Sequence, residues 1–159
     1  MSVNPALAGR VYPADAVYQV SREKVREFAS AVKASSPEHF DLEAARAAGY
    51  ADLVAPPTFA IIIAQRADAL FVNDPESGVD FSRVVHAEQR FTHHRPLVAG
   101  DEIQAELHVD SVRAMGDGAL ITTRAELSTT AGEPVATTVS AILVRGKDES
   151  DAANKEAQA

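Results

Sequence analysis

An α+β fold, an antiparallel sheet wrapped around one long central helix, follows from three features of the 159-residue sequence. The second half alternates apolar and polar residues with period two, the signature of half-buried strands. The segment "PPTFAIIIAQRADALFV", residues 56–72, is apolar almost all round for its first two turns, as in a helix surrounded by protein. Polar turn clusters join the alternating segments as hairpins. A one-faced sheet needs a cover and an apolar helix needs burial, so curling the sheet round the helix meets both needs.

Each element has its own justification. In "SREKVREFASAVKASS", residues 21–36, Val25, Phe28, Ala29 and Val32 recur at helical spacing, with Ser21 as the N-cap. "DLEAARAAGY", residues 41–50, reads as a short helix capped by Asp41 and stopped by Gly49. The central helix opens on Pro56 and Pro57, which suit a first helical turn, and stops before the turn cluster "NDPESG". Ile61, Ile62 and Ile63 read as core. Strands are expected at "RVVHAEQRF", "DEIQAELHVDSV", "ALITTRAEL" and "PVATTVSAILV", and "VYPADAVYQV" near the start adds one. The predicted inward rows are Ile103, Ala105, Leu107 and Val109; Ala119, Ile121, Thr123, Ala125 and Leu127; and Val135, Thr137, Val139, Ala141 and Leu143. "RAMGDG" and "TTAGEP" are the hairpin connectors. One domain over 1–146 is expected, followed by a disordered polar tail at 147–159.

Composition narrows the function classes. With 46% hydrophobic and 24% charged residues the chain is of globular type. Fifteen Lys and Arg against 23 Asp and Glu give a net charge of −8, and no basic cluster argues for nucleic acid. No apolar run approaches a membrane span, and the N-terminus has no secretory pattern, so a cytoplasmic location is expected. The absence of cysteine excludes disulfides, a thiolate nucleophile and a Cys-based zinc site.

Chemistry-bearing residues are few. In "ASSPEHFDLEAARAAGY", residues 34–50, His39 is either one half of an acid–base pair or a loop histidine packed near a helix start. His86, His93, His94 and His108 show no metal-ligand spacing, and neighbours on a strand face opposite sides, so no metal is expected. Gly100 and Asp101 in "VAGDEI" read as a structural turn.

The order of these segments resembles the hot-dog fold and, within it, the MaoC-like (R)-specific hydratase/dehydratase family. The resemblance runs from Arg22 to Arg145. "FTHHRPLVAGDEIQAELHVDSV" is similar to the family's strand–RP(L/V)xxGD–strand passage, and "GALITTRAELSTTAGEPVATTVSAILV" to its closing hairpins. "SSPEHFDLEAARAAGYADLVAPPTFA" is similar to the hydratase helix-and-loop region. The whole pattern is close to the short actinobacterial subunits of (3R)-hydroxyacyl-carrier-protein dehydratase, which include accessory subunits.

The resemblance implies a site. Family hydratases carry D-x-N-P-x-H-x-D, whose Asp and His form an acid–base pair on a hydroxyacyl or enoyl thioester. A backbone N–H at the start of the central helix, in a His-Gly pair, stabilises the thioester oxygen. His39 falls on the catalytic histidine, Pro37 on the proline and Asp41 on the trailing acid. Ala34 stands at the position of the catalytic aspartate, Ser36 at that of the asparagine, and Pro56 and Pro57 at that of the His-Gly pair. Proline has no N–H, which leaves the Thr58 N–H or hydroxyl as a shifted donor. Tyr50, Pro57 and Thr58 are the implied substrate-binding positions. The expected role is therefore a dehydratase or hydratase subunit with an incomplete motif, taking acyl-ACP or acyl-CoA. It would need no cofactor and would act as a homodimer or as a heterodimer with a catalytic hot-dog subunit. Two other readings stay open: an autonomous hydratase whose acid is Glu38, Asp41 or Glu43, and a hot-dog thioesterase using Asp68 on the central helix.

Overall fold

The computed structural model describes residues 3–146; the tail expected at 147–159 lies outside the described residues. Its elements are β1 (Val11–Tyr12), β2 (Tyr18–Gln19), α1 (Arg22–Ala31), α2 (Leu42–Ala47), α3 (Ala60–Val72), β3 (Val84–His93), β4 (Glu102–Met115), β5 (Gly118–Thr129) and β6 (Pro134–Val144). Three 3-10 turns, Pro5–Leu7, Pro37–His39 and Phe81–Arg83, punctuate them. The sheet is antiparallel in the order β1-β4-β5-β6-β3, with β2 also on β4. It encloses α3, whose Ala60, Ile63, Ala64, Ala67 and Phe71 are buried against it. This is the sheet curled round a helix that the alternation and the apolar helix predict, and the hot-dog arrangement that the resemblance implies.

The inward rows of β4 and β5 are as expected. Ile103, Leu107 and Val109 on β4, and Ala119, Ile121, Thr123, Ala125 and Leu127 on β5, are all buried. On β6 Val135 is buried as expected, but beyond it the expected row is reversed. Ala136, Thr138, Ser140 and Val144 are buried, whereas Thr137, Val139, Ala141 and Leu143 are only half-buried. Register is the cause: Thr123 pairs with Ser140 and Ile121 with Ile142, and directly paired side chains share a face. The β6 sequence carries apolar residues on both rows, so alternation alone does not choose between them. The outcome is a patch of hydroxyls, Thr123, Thr138 and Ser140, on the inner face of the sheet.

Other boundaries shift for local reasons. The first helix stops at Ala31, and Lys33 follows in the left-handed region at φ 58°, leaving Val32 exposed outside the expected apolar face. The strand expected over Val11–Val20 is split into β1 and β2 around Pro13, which cannot donate to a ladder. Pro56 and Pro57 precede α3 and do not form its first turn. A residue before proline is pushed out of the α region, so Pro56 cannot be helical, and the Phe59 N–H closes a turn onto the Pro56 carbonyl at 2.9 Å. Gly118 is required at the head of β5, because a Cβ there would lie 2.2 Å from the Val144 carbonyl oxygen.

Candidate functional site

A buried loop organises the region around His39. Leu53, Val54 and Ala55 thread between the 3-10 turn Pro37–His39 and the segment after β3. The Val54 N–H donates to the Glu38 carbonyl at 3.0 Å, the Ala55 N–H to Leu97 and the Ala99 N–H to Leu53, both at 2.9 Å. Arg22 clamps the start of this loop with a paired contact to Asp52, which holds the Asp52 carboxyl below its ordinary range. On the other wall Arg95 grips Asp101 at 2.8 and 3.0 Å, and Asp101 also accepts from the Val98 N–H at 2.9 Å. Arg95 is raised above its ordinary value chiefly by that bond. Gly100 takes φ 96° at the corner. The family-like RPLVAGD passage is thus a cross-braced loop.

These walls enclose a cleft of about 490 Å³ lined by Ser36, Glu38, His39, Tyr50, Val54 to Pro57 and His93 to Leu97. His39 is 7% exposed, and its Nδ1 lies 2.6 Å from the Val54 carbonyl oxygen. A carbonyl only accepts, so Nδ1 carries the proton and Nε2 of the neutral ring is the basic nitrogen. No hydrogen bond to Nε2 exists among the described residues, and no buried side-chain nitrogen or oxygen there lacks a partner. Nε2 is therefore accessible to the cleft. An oriented imidazole with one free basic nitrogen is the geometry a general base needs.

Of the predicted positions, His39, Tyr50 and Pro57 meet in this cleft, and Ala34 and Thr58 are not among its lining residues. Ala34 follows α1, its N–H bonded to Ala29 at 2.8 Å, and Thr58 is exposed in the turn before α3. Among the acids considered as substitutes, Asp41 caps α2 through the Ala44 N–H at 2.7 Å, and Glu43 pairs with Arg46 in solvent. Only Glu38 lines the cleft. His93 and His94 both line it, contrary to the expectation that strand alternation separates them. β3 ends at His93, and the N–H groups of His94 and Arg95 both turn onto the Val135 carbonyl, so alternation no longer applies. The signal for this is present in "HHRP", where a proline three residues past the end of the strand marks the bend.

Asp68 does not line this cleft. It projects from α3 toward the sheet, accepts from Thr123 Oγ1 at 2.8 Å, and is pushed above the usual carboxylate range by burial. The folded protein therefore binds that proton more tightly than the unfolded chain does, and ionisation costs stability as pH rises through the folded value. Asp68→Asn, which keeps an acceptor for Thr123, is expected to melt higher than the parent at pH 8 and level with it below about pH 4. Melting curves of both proteins between those limits check this; a gap that does not change with pH contradicts it.

Known proteins share this architecture. The sequence model of the FAS1-like dehydratase domain region matches residues 6–138. A UPF0336 protein of Saccharopolyspora erythraea is 48% identical over 149 residues, covering 94% of this chain and 96% of that one. The C-terminally truncated HadBC (3R-hydroxyacyl-ACP dehydratase) complex from Mycobacterium tuberculosis contains a chain that superposes with a TM-score of 0.80 at 31% identity, over 90% of this chain and 99% of that one. A MaoC-like dehydratase superposes with a TM-score of 0.82 at 36% identity, over 91% of this chain but only 44% of the other. With this sheet, this helix and these relatives, the chain belongs to the FAS1-like dehydratase-region family, within the MaoC-like hot-dog dehydratases.

Proposed function

We propose that the protein is a subunit of a (3R)-hydroxyacyl-thioester dehydratase or enoyl hydratase system of cytoplasmic fatty-acid metabolism. It binds the acyl chain of acyl-ACP or acyl-CoA, or stabilises a catalytic hot-dog partner, and turns over little substrate alone. The observation that carries this reading is the half-built site. His39 Nε2 opens onto the cleft, but the position of its acid is Ala34, and prolines stand where the oxyanion N–H belongs. Losing one acid–base group costs about 10²–10⁴-fold and one oxyanion donor about 10²–10³-fold, so the frame supports binding better than turnover.

Assembly supports the same reading. The flank of α3 carrying Ile61, Ile62, Ala69 and Leu70 is only half-buried in the single chain, and β3 is a ten-residue sheet edge. A second hot-dog subunit, identical or catalytic, covers both.

The test is a paired assay of enoyl-thioester hydration: the protein alone, then co-expressed with a hot-dog subunit bearing the complete D-x-N-P-x-H motif. Turnover that needs the partner and survives His39→Ala is the expected result. Turnover by the protein alone that is abolished by His39→Ala overturns it in favour of an autonomous hydratase. Glu38, the one substitute acid in the cleft, is what favours that second reading.

A further inference from the structure

The molecule has a second cavity that the His39 chemistry does not use. It measures about 580 Å³ and lies between the C-terminal half of α3 and the inner face of β3, β5 and β6. That size is within the roughly 300–1,000 Å³ typical of small-molecule sites. Most of its wall is apolar, with Phe71, Val72, Phe81 and Ile142 prominent. The polar surface comes from Asp68, from Thr123 and Ser140 of the inner hydroxyl patch, and from Gln65, Asn73 and His86.

The hydrogen bonds show which polar atoms are spent. Thr123 Oγ1 donates to Asp68 Oδ1 at 2.8 Å, and Ser140 Oγ donates to Gln89 Oε1 at 2.5 Å. Asp68 Oδ2 has no hydrogen bond among the described residues, and no buried side-chain oxygen there lacks a partner. Oδ2 is therefore accessible, and the space it meets is the cavity that Asp68 lines. A carboxyl in an apolar wall with one oxygen unspent is costly for folding and useful for recognition.

We propose that this cavity is a binding site for a neutral alcohol, with the aliphatic chain along Phe71, Val72 and Ile142 and the hydroxyl bonded to Asp68 Oδ2. Among the described residues the lining contains no lysine or arginine, so an anionic headgroup has an acidic neighbour and no fixed counter-charge. A cationic headgroup shares the cavity with His86, the other titratable side chain of the wall, and must be desolvated against one carboxyl. A hydroxyl donates and accepts, so it satisfies Asp68 in either protonation state at little desolvation cost. The site is independent of the reading of the His39 cleft, and its test uses no catalytic readout.

The test is titration of the ¹⁵N-labelled full chain at pH 8 with 1-octanol, octanoate and octylammonium, followed by amide chemical shifts. 1-Octanol is expected to bind saturably with Kd below about 1 mM. It should move the amides of Asp68, Thr123 and Ile142 and leave those of Ala55 and Leu97, at the His39 cleft, in place. Octanoate and octylammonium should each bind at least tenfold more weakly. Asp68→Leu should weaken 1-octanol at least tenfold, and Asp68→Asn, which can still hydrogen-bond, by no more than about threefold. Phe81→Ala, which removes a 73% exposed wall residue and leaves the core intact, should also weaken binding and serves if Asp68→Leu does not fold. Non-saturable shifts, shifts at the His39 cleft, an ion binding as tightly as the alcohol, or indifference to these substitutions overturns the proposal.

Discussion

Phe59→Ala is expected to remove about 3–5 kcal/mol of folding stability. Phe59 is fully buried at the head of α3. Its ring meets Phe28 of α1 edge-on at 5.4 Å and Tyr18 of β2 at 6.3 Å. One side chain therefore joins the central helix, the first helix and a strand pinned to β4. Truncation removes transfer energy, two edge-to-face contacts and the packing that joins the three elements, and leaves a void that they cannot close together. Against a total of about 5–15 kcal/mol for domains of this kind, that is a large fraction. The melting temperature should fall by roughly 10 °C, and urea denaturation should show a lower midpoint at unchanged slope. Phe59→Leu, which keeps most of the volume, should cost about 1.5 kcal/mol or less. Equal losses for Ala and Leu would show that the ring is not the keystone described here. The substitution should also loosen the His39 cleft, because the buried Phe59 ring anchors the turn, closed by its own N–H on the Pro56 carbonyl, that presents Pro56 and Pro57 to it.

Legibility in the sequence follows the physics of each element. β4 and β5 were readable because polar residues occupy one row almost without exception, which fixes the inward face before any partner strand is known. β6 was not, because Val139 and Leu143 on one row compete with Ile142 and Val144 on the other, and only pairing with β5 decides. The α3 start is not legible because prolines at a helix head and prolines in the preceding turn look alike in one dimension. His39 was legible through the spacing of Pro37, His39 and Asp41, and so was the missing acid at Ala34. What holds His39 was not legible. The Val54 carbonyl is 15 residues away, and His93 to Leu97 arrive from the far end of β3 only when the sheet closes. Asp68 reads in the sequence only as the acid a thioesterase would use; its contact with Thr123, 55 residues on, gives it a place.

Reversing one charge on the edge strand is expected to separate the proposed dimer. β3 ends the sheet, so one side of its backbone is unpaired among the described residues. Glu88 and Arg90 are exposed, pair with each other at 2.6 Å and flank Gln89. Two copies of β3 laid antiparallel about a twofold axis through Gln89 place Glu88 opposite the partner's Arg90, and Arg90 opposite the partner's Glu88. The pattern is self-complementary, as an isologous contact must be. Directly opposed unlike charges contribute about 0.2–1 kcal/mol per pair, and like charges destabilise. Arg90→Glu converts both cross-strand pairs from attraction to repulsion, a change of roughly 1–2 kcal/mol that should raise the dimer dissociation constant about tenfold. Glu88→Arg combined with Arg90→Glu restores the pattern with signs exchanged and should return the constant to within about threefold of the parent. Sedimentation equilibrium at low salt measures all three proteins. The gap should narrow in 1 M salt, where screening falls to about 3 Å. A double variant as weak as Arg90→Glu would place the twofold axis elsewhere on the edge, and a parent that stays monomeric at micromolar concentration would remove the homodimer altogether. In that case β3 remains an open edge, and the half-buried flank of α3 awaits a different subunit.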